Sequence, residues 1–545
     1  MSHSILQRSA SLIAAAAVLH VVLIQPNHPA AATWQALLMF PLELPALLLT
    51  LVALGRSRAA WAFRLGVTTF LAILAVLKTA DFVSFNALSR SFNPVSDMFL
   101  VDAFVRLLFG SFGPVLAVLC IIGAILAVIL VATLIWWATG VWSKVNLGGI
   151  LKRVAAAGAV VASAIMLFDI GVARGTISGL SSPPGAAFTA RVAVERVSTA
   201  QKTLKELKNF RIAADEDVYA GREDLLGTIA RDVVVIFVES YGRASFDVPF
   251  YASSHVETLK SYGSSLDEVG LATKSGWLKA PTFGGQSWLS HATFANGLWV
   301  DNQAGYGALL SSDREGLFHH ARNSGFRTGA VMPQITLDWP ESARMGFDEV
   351  LVAADLGYKG LPFNWVTMPD QFTLLALDTL LREAGDEKRL FAQVALASSH
   401  APWVPVPQLL PWDEVGDGSA FNEMAVSGDA PEVVWRDRER VRDQYRLAVD
   451  YSLSAVFEYA LLHAEEPPLL IIVGDHQAAE MVSMDTRRDV PIHVVGPKQL
   501  VDLVAEIVPT DGIIPDRTAD VLPMNQVRDI ILKAFSVQTT AEVSQ

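Results

Sequence analysis

Four short apolar runs in the C-terminal part of the chain end in, or carry, residues that can do chemistry. Run 232–238 leads into Glu239-Ser240-Tyr241, and run 390–397 into Ser398-Ser399-His400-Ala401-Pro402-Trp403. Run 469–473 leads into Gly474-Asp475-His476-Gln477, and run 490–495 contains His493. Carboxylate oxygens and imidazole nitrogens gathered in one place suit a divalent cation. Zinc takes such donors in roughly tetrahedral geometry, and manganese accepts a similar oxygen-rich set. Each residue alone has a plainer use. An acid at a strand end often caps a helix, Asp475-His476 can cap a turn, and His400 before Ala-Pro can orient a loop. Recurrence at several strand ends is what points to a site.

A fifth element is Ala280-Pro-Thr-Phe-Gly-Gly-Gln-Ser287-Trp-Leu-Ser-His291. Gly284-Gly285 permit a tight turn, and the pattern from Ser287 through Asn296 predicts a helix. A Ser at a helix start lies beside unpaired N–H groups and the positive end of the helix dipole, a natural place for a phosphate. A bound cation would also make that hydroxyl easier to ionise and so nucleophilic. By spacing alone Ser287 is equally well a simple N-cap, and Thr282, Ser290 and Thr293 are competing hydroxyls.

These residues need a frame. The runs 232–238, 327–332, 390–397, 469–473 and 490–495 are short and β-branched or apolar, as expected of strands covered on both faces. Helical patterns lie between them, at 315–323, 371–383 and 441–463. The alternation predicts helices on both faces of a mostly parallel sheet, and about 310 residues suffice for a full core. Ligands in such sheets sit at the carboxyl ends of strands, where the polar residues above fall.

The N-terminal part is a different object. The chain has 545 residues, 52% hydrophobic and only 18% charged, with a mean hydropathy of +0.37. A globular domain is typically about 45–50% apolar and about 25% charged. Residues 1–175 hold 11 Lys/Arg against 5 Asp/Glu, and the remainder 31 against 50. So acidic a C-terminal part is poorly suited to nucleic acid. The lone Cys120 excludes a disulfide framework and a Cys-cluster metal site. Apolar stretches at 9–25, 35–55, 60–82, 114–138 and 151–173 predict a five-helix transmembrane domain over 1–175, a span needing about 20 residues. The first stretch also reads as a signal peptide. Arg8, Arg56, Arg58, Lys144, Lys152 and Arg153 all fall on one side of five spans. That places the N-terminus in the cytoplasm and the C-terminal part outside. Stretch 96–110, with Asp97, Phe99, Asp102, Phe104 and Leu107, predicts an amphipathic helix at the outer interface. Residues 176–228 form a connector, with a Gly/Ser/Pro turn and a basic amphipathic helix at 191–212 expected on the membrane surface.

The order Glu239, Gly-Gly-Gln-Ser287, His400-Ala-Pro, Gly-Asp475-His476 resembles the alkaline phosphatase/sulfatase superfamily. Its similarity is greatest to the lipoteichoic acid synthase-like and phosphoethanolamine transferase-like membrane enzymes. The resemblance spans essentially the whole chain. It implies an alkaline phosphatase-like α/β catalytic domain over 229–540, on the periplasmic or extracellular side of a bacterial inner membrane. Carried over residue by residue, it implies one divalent metal, zinc or manganese, held by Glu239, Ser287, Asp475 and His476. Ser287 stands where the family usually has Thr as nucleophile. His400 matches the family's substrate-side His. His493, Trp339 and Arg344 are further substrate-binding candidates, although the pattern departs around Trp339 and Arg344. The implied reaction moves a phospholipid headgroup, phosphoglycerol or phosphoethanolamine, through a phospho-serine to an envelope glycan or glycolipid. The alternative is a phosphodiesterase or sulfatase-type hydrolase. Sulfate-ester chemistry is disfavoured, because Ser287 is followed by Trp-Leu-Ser-His without the Arg a sulfatase motif requires.

Overall fold

A computed structural model describes residues 2–536 except Ser89, 179–182, Asp224, Asp338, Trp365 and 384–387. The end of the predicted 229–540 domain, 537–540, lies outside the described residues. The chain forms two compact units, Met1–Glu206 and Leu207–Gln545.

The first unit is helical. Helices α1 (Ser2–Ile24), α3 (Arg58–Leu88), α4 (Met98–Ser143) and α5 (Gly149–Ala173) supply four segments long and apolar enough to cross a membrane. The expected fifth span at 35–55 is shorter than predicted. It is a 3₁₀ turn at Trp34–Leu38 and a 12-residue helix, α2 (Glu43–Leu54). At about 1.5 Å per residue, α2 falls well short of a bilayer core. It nevertheless reverses the chain. Its C-cap Gly55 lies beside Lys152, Leu49 lies against Gly158, and Glu43 at its start accepts from the Ala190 N–H at 2.9 Å. Residues from Met98 to Phe112 are helical, as expected of 96–110, and Gly113 (φ 73°) with Pro114 breaks them from the apolar part of α4. The side chains of Phe99, Asp102 and Leu107 lie outside the described residues.

The helix expected on the membrane surface, α6 (Phe188–Asp215), ties its first turns into the helical bundle within this unit, while Lys202, Lys205, Lys208 and the apolar Val197 and Leu204 stay exposed. Arg196 pairs with buried Asp81 at 3.0 Å, and Arg191 with buried Asp169 at 2.5 Å. Asp169 also accepts from the Ala187 N–H, and Lys78 donates to Thr189 and to the Leu23 carbonyl. Buried charges are costly unless paired or hydrogen-bonded; Asp81 and Asp169 have their arginines, and Lys78 has two oxygen acceptors.

The second unit is built on nine strands: β1 (Val233–Val238), β2 (Ala272–Lys279), β3 (Arg327–Met332), β4 (Glu349–Val352), β5 (Leu390–Ala395), β6 (Leu469–Gly474), β7 (Asp489–Gly496), β8 (Thr510–Asp511) and β9 (Val521–Pro523). Their order is β4-β3-β5-β1-β6-β7-β2-β8, with β9 beside β2. The run β4-β3-β5-β1-β6 is parallel, and β7 is antiparallel to both neighbours. Strand β1 explains the two-sided cover. Val234, Ile236 and Val238 pack with Leu259, Leu377 and Val449 from helices on one face. Val233, Val235 and Phe237 pack with Leu317, Ile531 and Leu532 from helices on the other. All six β1 residues are buried, which is why the strand reads as a continuous apolar run rather than an alternating one.

Candidate active site

Three adjacent central strands set the site. β5, β1 and β6 lie side by side and parallel, so the segments that follow them leave the sheet at the same edge. Glu239 follows β1, His400 lies beyond β5, and Asp475-His476 follows β6. Ser287 arrives from elsewhere, as the first residue of the ten-residue helix Ser287–Asn296. Its approach is fixed by Gly284 (φ +69°), where a Cβ would meet the Ala479 Cα at 3.2 Å. The Gly284 N–H donates to the Gln477 carbonyl at 2.8 Å, which ties the Gly-Gly turn to the Asp475-His476 segment.

The four side chains meet. Ser287 Oγ donates to Glu239 Oε2 at 3.0 Å, and His476 Nε2 stands 3.2 Å from Glu239 Oε1. Asp475 Oδ1 accepts from the N–H groups of Ser240 (2.8 Å) and His476 (2.6 Å). Ligand atoms of Glu239, Asp475 and His476 all lie within 4.8 Å of one another. His476 Nδ1 is 3.1 Å from the Gln477 carbonyl oxygen. Donation there orients the ring so that Nε2 faces Glu239 Oε1, the position a cation would take in place of the proton. A metal-ligating His is held in this way, by its other ring nitrogen.

The electrostatics call for a cation. Burial raises the Asp475 carboxyl well above its usual range, and Glu239 raises it further. Burial would also raise Glu239, but the adjacent His476 carries it well below the carboxylate norm. Burial opposes a charge on His476, yet Asp475 and Glu239 push it up to about 9. Two buried carboxylates that hold a positive charge on the imidazole between them are an oxygen- and nitrogen-donor set that fits a divalent ion.

Other residues brace this set without having been expected. Ser240 Oγ donates to Glu239, Ser399 Oγ donates to the Glu239 carbonyl at 2.7 Å, and Tyr445 OH donates to the Ser240 carbonyl at 2.8 Å. Ser240 and Ser399 adjoin residues already singled out; Tyr445, inside a long helix, carries no local signal. Ser240, Gln286 and Trp403 have positive φ (58°, 67° and 62°). Each such non-glycine residue costs on the order of 1–3 kcal/mol, and all three adjoin the site segments. His291, one turn beyond Ser287, is buried against Phe237 with ring centroids 4.0 Å apart. Burial lowers it to about 3.

His400 is half-buried, with Nδ1 2.6 Å from the Ala401 carbonyl, and close enough for its charge to act on Glu239. The competing hydroxyls are spent inward: Thr282 and Ser290 bond each other at 3.1 Å, and Thr293 donates to the Leu289 carbonyl. His493 corrects an expectation. It is fully buried in mid-strand on β7, stacked on Tyr241 and 3.1 Å from its hydroxyl, so it offers nothing to a phosphate. Trp339 and Arg344 bracket a 3₁₀ turn beyond β3. Neither has a hydrogen bond to the Glu239–Ser287–His476 group among the described residues.

No protein-family model matches the chain, and no curated protein does. Solved structures do match. The lipoteichoic acid synthase LtaP from Listeria monocytogenes is 11% identical, covering 60% of this chain and 81% of that one, at a TM-score of 0.36. The C-terminal periplasmic domain of phosphoethanolamine transferase EptC from Campylobacter jejuni is 14% identical, covering 57% and 91%, at 0.37. An alkaline phosphatase superfamily protein from Vibrio parahaemolyticus is 12% identical, covering 57% and 76%, at 0.34. At identities and scores this low, the chemistry rests on the geometry of the site itself.

Proposed function

We propose that this protein is a membrane-anchored, metal-dependent transferase. It moves a phospholipid headgroup, phosphoglycerol or phosphoethanolamine, to a hydroxyl of an envelope glycan or glycolipid. The reaction belongs to the 229–540 domain, held outside the cytoplasmic membrane of a bacterium by the N-terminal helices. The observation that carries the reading is Ser287 Oγ, at a helix N-terminus and hydrogen-bonded to Glu239, within a group completed by Asp475 and His476.

Glu239, Asp475, His476 and the Ser287 hydroxyl would hold the ion. A divalent ion bound there, zinc or manganese by its donor set, supplies charge stabilisation at phosphoryl oxygens and a lower pKa for a bound hydroxyl. The rest is work for the chain's own residues. The N–H groups of the first turn of the Ser287 helix receive the phosphodiester oxygens. Ser287 Oγ, its proton released to solvent before the cycle begins, attacks phosphorus as the alkoxide, the P–O bond to diacylglycerol breaks, and His400 gives the leaving alkoxide its proton. A headgroup–phosphoserine remains. The acceptor hydroxyl then attacks phosphorus, the P–Oγ bond breaks, and the acceptor's proton passes to His400, restoring both residues. Trp339 and Arg344, exposed or half-exposed beyond β3, are assigned to the headgroup. Anchoring to the membrane replaces a bimolecular search for the lipid by proximity.

Intact mass spectrometry of the full-length protein in nanodiscs of phosphatidylglycerol or phosphatidylethanolamine tests this. The expected result is one adduct on Ser287, of phosphoglycerol or phosphoethanolamine mass. Metal-dependent headgroup release without an adduct or acceptor use would move the reading to a hydrolase. Neither adduct nor release with either lipid would overturn it.

A further inference from the structure

An open groove of about 720 Å³ lies beside the His400 loop. Its size is ordinary for a small-molecule site, about 300–1,000 Å³. One wall is the chain from Val404 onward. The other is a face of the helix Arg438–Leu462, from which Gln444 and Leu447 project. The groove adjoins the catalytic segments through two direct links. Trp403, which precedes Val404, donates its indole N–H to the Ser399 carbonyl at 2.7 Å, next to His400. Tyr445, which follows Gln444, donates to the carbonyl of Ser240.

Its chemistry is restrictive. Asp429 and Arg440 neutralise each other at 2.6 Å, and Asp450 accepts from Thr258 at 2.7 Å. No uncommitted cation is left among the described lining residues, so the groove does not suit a phosphate or an anionic headgroup. The side-chain amides of Gln408 and half-buried Gln444 make no hydrogen bond among the described residues. Val406 and Leu447 add apolar surface to the same lining. Trp435, which follows the lining residue Val434, is stacked on Trp403 by one face, with rings 1° from parallel and centroids 5.7 Å apart. Trp435 remains 43% exposed. Neutral amides, short apolar strips and an open indole match a ligand with many hydroxyls and apolar C–H faces.

We propose that this groove binds the acceptor, a neutral polyhydroxylated chain such as an oligosaccharide, and leads its terminal hydroxyl toward His400 and Ser287. The assignment rests on the transferase reading for the word acceptor, but the binding site stands or falls by itself. Binding is measured by saturation-transfer NMR on full-length Ser287→Ala protein in nanodiscs, which removes the proposed chemistry and avoids sugar detergents. The probes are maltotetraose, laminaritetraose and chitotetraose. At least one is expected to bind, and Leu447→Trp, which fills the groove, should weaken it by about tenfold or more. Gln444→Ala, which leaves the packing intact, should weaken it in the same direction. Failure of all three sugars to bind overturns the proposal, as does binding that neither variant changes. Dihexanoylphosphatidylglycerol competing for the groove in place of the sugars overturns it too. Sugar binding with no serine adduct on the unmodified protein would count against the transferase reading and leave the groove standing.

Discussion

At the scale of single residues, the hydroxyls separate by what they touch. Ser287 Oγ faces Glu239, whereas Thr282 is buried against Ser290. Ser287→Ala should lower turnover by about a thousandfold or more with an unchanged melting temperature, because a hydroxyl in the site adds little to the core. Thr282→Ala should keep turnover and cost about 1 kcal/mol of stability. Headgroup release and thermal melts check both, and the opposite pattern would move the nucleophile to Thr282. Asp475 is held by two backbone N–H groups and lies among the other ligand atoms. Asp475→Asn should cut bound metal to about a tenth or less; unchanged metal by elemental analysis would remove Asp475 as a ligand.

At the scale of elements, two helices do more than their sequence periodicity says. Helix 438–462 packs on the sheet through Val449 and Val456, braces the site through Tyr445 and lines the groove through Gln444. Helix α6 has the apolar spacing of a surface helix, yet Arg191 and Arg196 are paired with carboxylates inside the bundle. Arg196 is 4% exposed and Asp81 is fully buried, so Arg196→Ala strands a buried carboxylate at a cost of about 3–5 kcal/mol. Limited proteolysis should then cleave within 188–206 several times faster than in the unaltered protein. An unchanged digestion pattern would mean the pair does not hold the helix.

For the whole molecule, buried histidines set an acid limit on stability. Burial lowers His255 to about 4 and His493 to about 3, against about 6.5 in an unfolded chain. The unfolded state therefore binds protons that the folded state refuses, and stability falls as pH drops below 6.5. At pH 5 each should cost about 2 kcal/mol. The melting temperature should decline between pH 7 and 5, above the range in which ordinary exposed carboxylates titrate, and His493→Gln should flatten that decline. A flat profile in the unaltered protein would show that these histidines are not held neutral.

The sequence by itself determined what depends on local chemistry and period. The apolar runs of β1, β3, β5, β6 and β7 were legible because a strand covered on both faces must be apolar throughout. Gly284-Gly285 before Ser287 was legible because only glycine tolerates that turn without strain. Strand β2 was not, since Ala272–Lys279 mixes Lys, Ser and Gly and owes its place to pairing with β7 and β9. Nor was the length of α2: an apolar stretch reads alike whether it continues as helix or breaks at Pro41 into a turn. Adjacency was decided only by tertiary structure. That Glu239, Ser287, Asp475 and His476 meet depends on β1 lying between β5 and β6. That His493 is enclosed depends on β7 being covered on both faces. Strand order and facing are settled by long-range burial, which no local spacing encodes.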